Sequence, residues 1–205
     1  MNILLETGLP EEIDGTLISP DYRNMIRFEL LLQDKSLSES ERLYLGLRQL
    51  WTEIPKDVDY ALQKLLWFYS CGKSAAPCGQ QGGKALRAYD FAQDAEMIYA
   101  GFYAAYGISL TTVEYLHWWE FMALLMGLPD TTQMGKIMYY RTVELDKIKD
   151  KHQREYLAEQ QRHWALDSLV ATTHRSAEEA KQAMLDRARR RSAEAAQLIH
   201  TEQGG

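Results

Sequence analysis

Two glycine-lysine pairs in the middle of the chain invite a phosphate-binding reading. Gly72-Lys73-Ser74 has the ending of a P-loop, in which glycine amides cradle phosphates, the lysine reaches them and the hydroxyl holds magnesium. The first glycine of that pattern falls on Trp67, and the local context is a helix entering a loop rather than a strand entering a helix. In Gly82-Gly83-Lys84, Cys78 stands at the first-glycine position and Ala85 replaces the hydroxyl residue. Neither segment predicts nucleotide binding, and no cofactor is expected.

The histidines are the next candidates. His152, His163 and His174 recur every eleven residues, close to one face of a helix, but eleven helical residues span roughly 16 Å, too far for one shared metal. His117 and Glu120 form a close histidine and carboxylate pair on the predicted fifth helix, with no second ligand pair beside them. There is no G-x-S-x-G elbow and no cysteine in a protease context, so no catalytic or metal residue is assigned and no enzyme is expected. Cys71 and Cys78 lie in a glycine-rich stretch and are most simply free thiols. Arg189-Arg190-Arg191 is diluted by Glu178, Glu179, Asp186 and Glu194, which describes a solvated or partner-binding helix, not a nucleic-acid site.

The elements that would position such residues follow from periodicity and caps. Asp14-Gly15 favours a type I′ turn and predicts a small hairpin from about Ile3 to Ile18. Helices are then predicted from Asp21 to about Asp34, from the Ser38 and Glu41 capping box to Leu50, and from Pro55 to Cys71 with Gly72 in the left-handed C′ position. Glycines punctuate the segment from Gly72 to Lys84, read as a surface loop. Asp90 with Gln93 opens a fourth helix closed by Gly107, and Thr111 or Thr112 opens a fifth ending at Gly127. A short helix follows around Met134 to Tyr140, then a charged one from about Glu144 to Trp164. A capping box at Ser176 and Glu179 begins an alanine-rich helix to about His200.

The expected fold is mainly α: about seven helices in a single globular bundle, with a small N-terminal hairpin and a C-terminal helical appendage. The expected divisions are 1–20 for the hairpin, 21–165 for the helical core and 166–205 for a linker and charged helix. With 46% apolar and 25% charged residues among 205, the chain has enough apolar content to fold, and its net charge of -6 gives no global attraction to nucleic acid or anionic lipid. No apolar run reaches the length of about 18 residues that a membrane span needs, and MNILLETGLPEE lacks the pattern of a signal peptide. The chain is expected to remain in the compartment where it is made.

The fifth helix carries the most suggestive surface. Tyr115, Leu116, Trp119, Met122, Ala123 and Met126 fall on one broad arc, read as the core face. The opposite arc should be polar, yet Glu114 and His117 share it with Trp118, Phe121 and Leu125. Either the helix is central and buried on two sides, or Trp118, Phe121 and Leu125 form a partner-docking stripe; they are the candidate partner-binding residues.

Three segments, LLWFYSCGK (65–73), YDFAQDAEMIYAGFYAAYGISL (89–110) and EYLHWWEFMALLMGLPDTTQMGKIMYYRTVELDKIKDKHQREY (114–156), closely resemble the bacteriophage gene-product-fifteen family of long-tailed phages and prophages of Gram-positive bacteria. The opening GLPEEIDG is similar to that family's start, and the likeness covers about residues 1–165. The resemblance implies a role in tail morphogenesis as a tail assembly chaperone. Such a protein would bind the tape measure protein, help recruit major tail tube subunits and oligomerise along its client. It would act in the host cytoplasm and be absent from the mature virion. A permanent tail or connector component is the alternative.

Overall fold

The computed structural model describes residues 8–73 and 87–166. The start of the hairpin before Gly8, the glycine-rich stretch from Ser74 to Lys84 with Cys78, and the C-terminal segment from Asp167 onward lie outside the described residues.

Among the described residues the fold is mainly α. A two-stranded antiparallel hairpin of β1 (Glu12–Ile13) and β2 (Thr16–Leu17) leads into α1 (Tyr22–Gln33), α2 (Glu39–Leu50) and α3 (Val58–Tyr69). Then come α4 (Ala95–Tyr106), α5 (Trp118–Met126), α6 (Gln133–Thr142), a single 3-10 turn (Leu145–Lys147) and α7 (Lys151–His163). No helix among the described residues is long and apolar enough to cross a membrane.

Local chemistry explains most boundaries. Ile13 pairs with Thr16 across a two-residue turn in which Asp14 and Gly15 both take positive φ, as a type I′ geometry demands. The Asp21 carboxylate accepts from the Arg23 amide at the start of α1, and Ser38 and Glu41 form a reciprocal capping box on α2. The third helix ends one residue earlier than expected. The Cys71 amide donates to the Phe68 carbonyl and the Gly72 amide to that of Trp67, a Schellman pattern that puts Cys71 at C′ with φ 57°. Gly72 follows at φ 69°, and a Cβ there would lie 2.8 Å from Cη2 of Trp119, so close ring approach as well as conformation calls for glycine.

The elements form two compact units. Of the described residues, the first unit holds 8–73 and Tyr115–Phe121, and the second holds 87–114 and 122–166. The hairpin belongs to the first unit, because a ribbon this short cannot bury a core of its own. Ile18 bridges to Trp51, and Asp14 accepts from Tyr60 Oη at 2.5 Å and pairs with Lys64 Nζ at 2.8 Å on α3. Around it Met25, Phe28, Leu47, Leu50, Leu65 and Phe68 are buried.

In the second unit α4 packs on α6, with Ile98, Phe102, Met134 and Ile137 buried. Gly101 permits close approach, since a Cβ there would lie 3.1 Å from Leu128 Cδ1 and 3.7 Å from Met134 Cβ. The charged helix expected from Glu144 is broken into the 3-10 turn and α7, because the Asp150 side chain accepts from the Gln153 amide and starts a new helix. As its sparse apolar pattern predicts, α7 buries only Leu157 along its length.

Candidate functional site

Trp118, Phe121 and Leu125 are fully buried. Of the two readings of this stripe, a helix buried on two sides and a docking surface, the burial favours the first, and the reason lies at the start of α5. That helix begins at Trp118, not at Thr111 or Thr112, so Glu114 and His117 never share a helical face with the aromatics. His117 is instead in an extended bridge to Asp21. With the polar neighbours removed, the i, i+3, i+7 pattern reads as the inward face, while Tyr115 and Met126, expected inside, are 49% and 59% exposed.

In the first unit these rings are held by directed bonds. Trp118 Nε1 donates to the Tyr69 carbonyl at 2.9 Å and Trp119 Nε1 to that of Phe68 at 2.8 Å. The Trp118 ring stacks between Tyr69 and Phe121, and Phe121 stacks on Tyr22. Tyr69 Oη in turn donates to the buried Glu29 carboxylate. His117 acts as the cap of α5. Its Nδ1 accepts from the Trp119 amide at 3.0 Å and its carbonyl from the Phe121 amide, while Nε2 faces the Pro10 carbonyl at 3.2 Å. Because an amide can only donate, Nδ1 is the unprotonated nitrogen and Nε2–H the donor. Burial pushes the His117 pKa below its ordinary value, against the hydrogen bond to Pro10 and the nearby Glu120 and Glu11 that favour the charged form. The ring is structural, with both nitrogens committed to backbone.

The second unit is organised by a buried ion pair that no local pattern in the sequence marks. Arg141 on α6 holds Asp94, the residue preceding α4, and also donates to the Ala88 carbonyl at 3.2 Å and the Trp164 carbonyl at 2.6 Å. Asp94 accepts the Asp90 amide as well, and Asp90 accepts the amides of Ala92 and Gln93. The Asp90 cap thus closes a turn ahead of α4, whose own first residue is Ala95. A guanidinium cannot serve as a base and every lobe here meets a fixed oxygen, so the group positions backbone.

What the second unit offers to other molecules is an aromatic helix face. The outer side of α4 carries Glu96, Tyr99, Ala100, Tyr103 and Ala104, all exposed, with Tyr103 at 60%. Tyr99 and Tyr103 stack with ring centroids 6.4 Å apart. A solvated helix face is normally charged, and here a single carboxylate accompanies two tyrosines and two alanines. Small residues flanking rigid, amphipathic rings suit the seating of another helix. Sequence reasoning missed it because it assigned no faces to this helix. The signal was present, since Ile98, Gly101 and Phe102 mark one face and the tyrosine pair the other.

Elsewhere, Cys71 is a free, partly buried thiol whose pKa burial pushes up to about 11, which keeps it protonated and unreactive at neutral pH. His152 and His163 are exposed on α7, and among the described residues no group of three or more His, Cys, Asp or Glu side chains could hold a metal. His174 lies outside the described residues.

No curated protein and no solved structure matches the chain. A family model does, described as Bacteriophage Gp15 protein and matching residues 8–166, a span that takes in both units and the α4 face. The chain therefore belongs to the bacteriophage Gp15 protein family and is a phage structural or morphogenesis protein.

Proposed function

We propose that the protein is a tail assembly chaperone that binds the tape measure protein and helps recruit tail tube subunits, several copies lining the client. The observation that carries this reading is the exposed Tyr99 and Tyr103 face of α4, in a chain of the bacteriophage Gp15 protein family. A long helical client must keep an apolar stripe from aggregating until the tube encloses it. Tyrosines that bury much area with little entropy loss, interleaved with alanines that let helix backbones approach, give such a stripe a temporary cover.

The test is co-expression with the tape measure protein of the same phage. The wild-type chain should keep that protein soluble and co-purify with it in several copies, and a Tyr99→Ala, Tyr103→Ala variant should lose both effects while its far-UV circular dichroism is unchanged. Mass spectrometry of purified virions separates the alternative: stoichiometric presence in the particle would make the protein a permanent tail or connector component.

A further inference from the structure

A second feature of the second unit is a groove of about 820 Å³ between α6 and α7. Its floor is fixed. Arg141 holds the Trp164 carbonyl, and Gln161 Nε2 lies 3.2 to 3.3 Å from the carbonyls of Tyr140, Arg141 and Val143, so the end of α7 is tied to the end of α6. The basic side chains on its rim are Lys136 from α6 and Arg162 from α7, with the His163 ring beside them, all exposed. Among the described residues neither Lys136 nor Arg162 nor His163 makes an ion pair, and the one carboxylate on the rim, Glu159, bonds to none of them. Trp164, edge-on to the His163 ring with centroids 4.8 Å apart, and Tyr140 supply aromatic wall.

We propose that this groove binds a carboxylate-bearing segment of a partner protein, with Lys136, Arg162 and His163 meeting its acidic side chains and Trp164 and Tyr140 its apolar ones. An ammonium and a guanidinium with no ion pair among the described residues, the guanidinium donating only Nε to the Ala158 carbonyl at 3.2 Å, stand beside a ring that can donate from nitrogen and form a receptor for carboxylates. Nucleic acid is the less fitting ligand. Backbone phosphates call for a basic track along a helix or face, whereas Glu159 stands on the rim, Glu155 lies one turn before it on α7 and the whole chain carries -6. The site shares no residue with the α4 face and does not depend on the chaperone reading.

The test uses the full chain and a short fluorescein-labelled peptide of alternating glutamate and alanine, followed by fluorescence anisotropy at low salt. A Lys136→Glu, Arg162→Glu variant should bind the peptide at least about tenfold more weakly, and the Lys136→Arg, Arg162→Lys variant should stay within about threefold of wild type. A thermal melt checks that the reversed-charge variant is folded, and Arg162→Glu alone, at one exposed position, replaces it if it is not. No peptide binding by the wild-type chain, or binding unchanged in the folded reversed-charge variant, would overturn the proposal. So would an oligothymidylate of matched charge that binds more tightly than the peptide and is lost in the same variant.

Discussion

Arg141 grips Asp94 with both arms of its guanidinium, Nη1 to Oδ2 at 2.5 Å and Nη2 to Oδ1 at 3.0 Å, and both side chains are sealed from solvent. The pair ties α6 to the start of α4, and through the Trp164 carbonyl to the end of α7. Removing one partner leaves an uncompensated buried charge, so Arg141→Ala should destabilise the protein by about 3 to 5 kcal/mol. An apolar pair such as Arg141→Met with Asp94→Leu often restores stability elsewhere. Here it would strand the Ala88 and Trp164 carbonyls and the Asp90 amide, so the double variant should remain about 2 kcal/mol or more below wild type. Urea unfolding of the two singles and the double measures this, and full recovery in the double would show that the pair serves the fold only as volume.

Gly135 is a harder constraint than any cap. A Cβ there would stand 2.2 Å from the Pro129 carbonyl oxygen and 2.8 Å from its carbon, both backbone atoms that no rotamer can move. Gly135→Ala should therefore destabilise by about 3 kcal/mol or more through displacement of α6 from the preceding turn. Gly101→Ala presses closely only on the flexible end of Leu128, with Met134 Cβ at an ordinary 3.7 Å contact, and alanine's better helix propensity offsets part of the strain, so its effect should stay near about 1 kcal/mol. Equal losses in a paired denaturation experiment would count against this ranking.

The cap at His117 makes stability depend on pH near neutrality. Its pKa in the fold lies below the ordinary 6.5, so the unfolded chain takes up a proton first as pH falls. The stabilisation is complete above the ordinary value and is lost as pH descends from there through the folded value. Protonation would put a hydrogen on Nδ1, facing the Trp119 amide that now donates to it. Melting temperature should fall between about pH 7.5 and about pH 5.5, and His117→Gln should flatten that slope while lowering stability at the upper end. The carboxylates held low by hydrogen bonds, Asp14 by Lys64 and Tyr60 and Glu41 by Ser38, lose their contributions only in more acid solution. An equally steep slope in the variant would assign the dependence to another group.

Caps and turns were the legible part of this chain, because a capping side chain and the amides that it meets are neighbours in sequence. Asp14-Gly15, Asp21, Ser38 with Glu41, and Gly107 all act where local chemistry puts them. The Asp94 and Arg141 pair was illegible because its members are 47 residues apart and nothing local requires either. The burial of the candidate docking stripe was hidden for a related reason. Thr111 and Thr112 look like helix starters, but Thr112 and Val113 donate back to Ser109 in a local turn, and the chain reaches Trp118 through the bridge of His117 to Asp21. Starting the helical wheel six residues too early put two polar residues on the wrong element and turned a core face into an apparent surface.

That inversion can be tested on two aromatic residues. Trp118 is fully buried, stacks on Tyr69 and Phe121, and donates to a backbone carbonyl; Tyr103 on α4 is 60% exposed. Trp118→Ala removes a large core ring and its hydrogen bond to the Tyr69 carbonyl, so it should destabilise by about 3 to 5 kcal/mol. Tyr103→Ala removes little buried area, and its effect on stability should stay within about 0.5 kcal/mol. Client binding should respond in the reverse order. Tyr103→Ala should weaken co-purification of the tape measure protein by about 2 kcal/mol or more in affinity if the ring is an anchor. Trp118→Ala, assayed at a temperature where it is still folded, should bind normally. Denaturation and co-purification on both variants separate the roles: a stable Trp118→Ala protein that fails to bind would return Trp118 to the surface, and a Tyr103→Ala protein that binds as wild type would remove the α4 face from the client site.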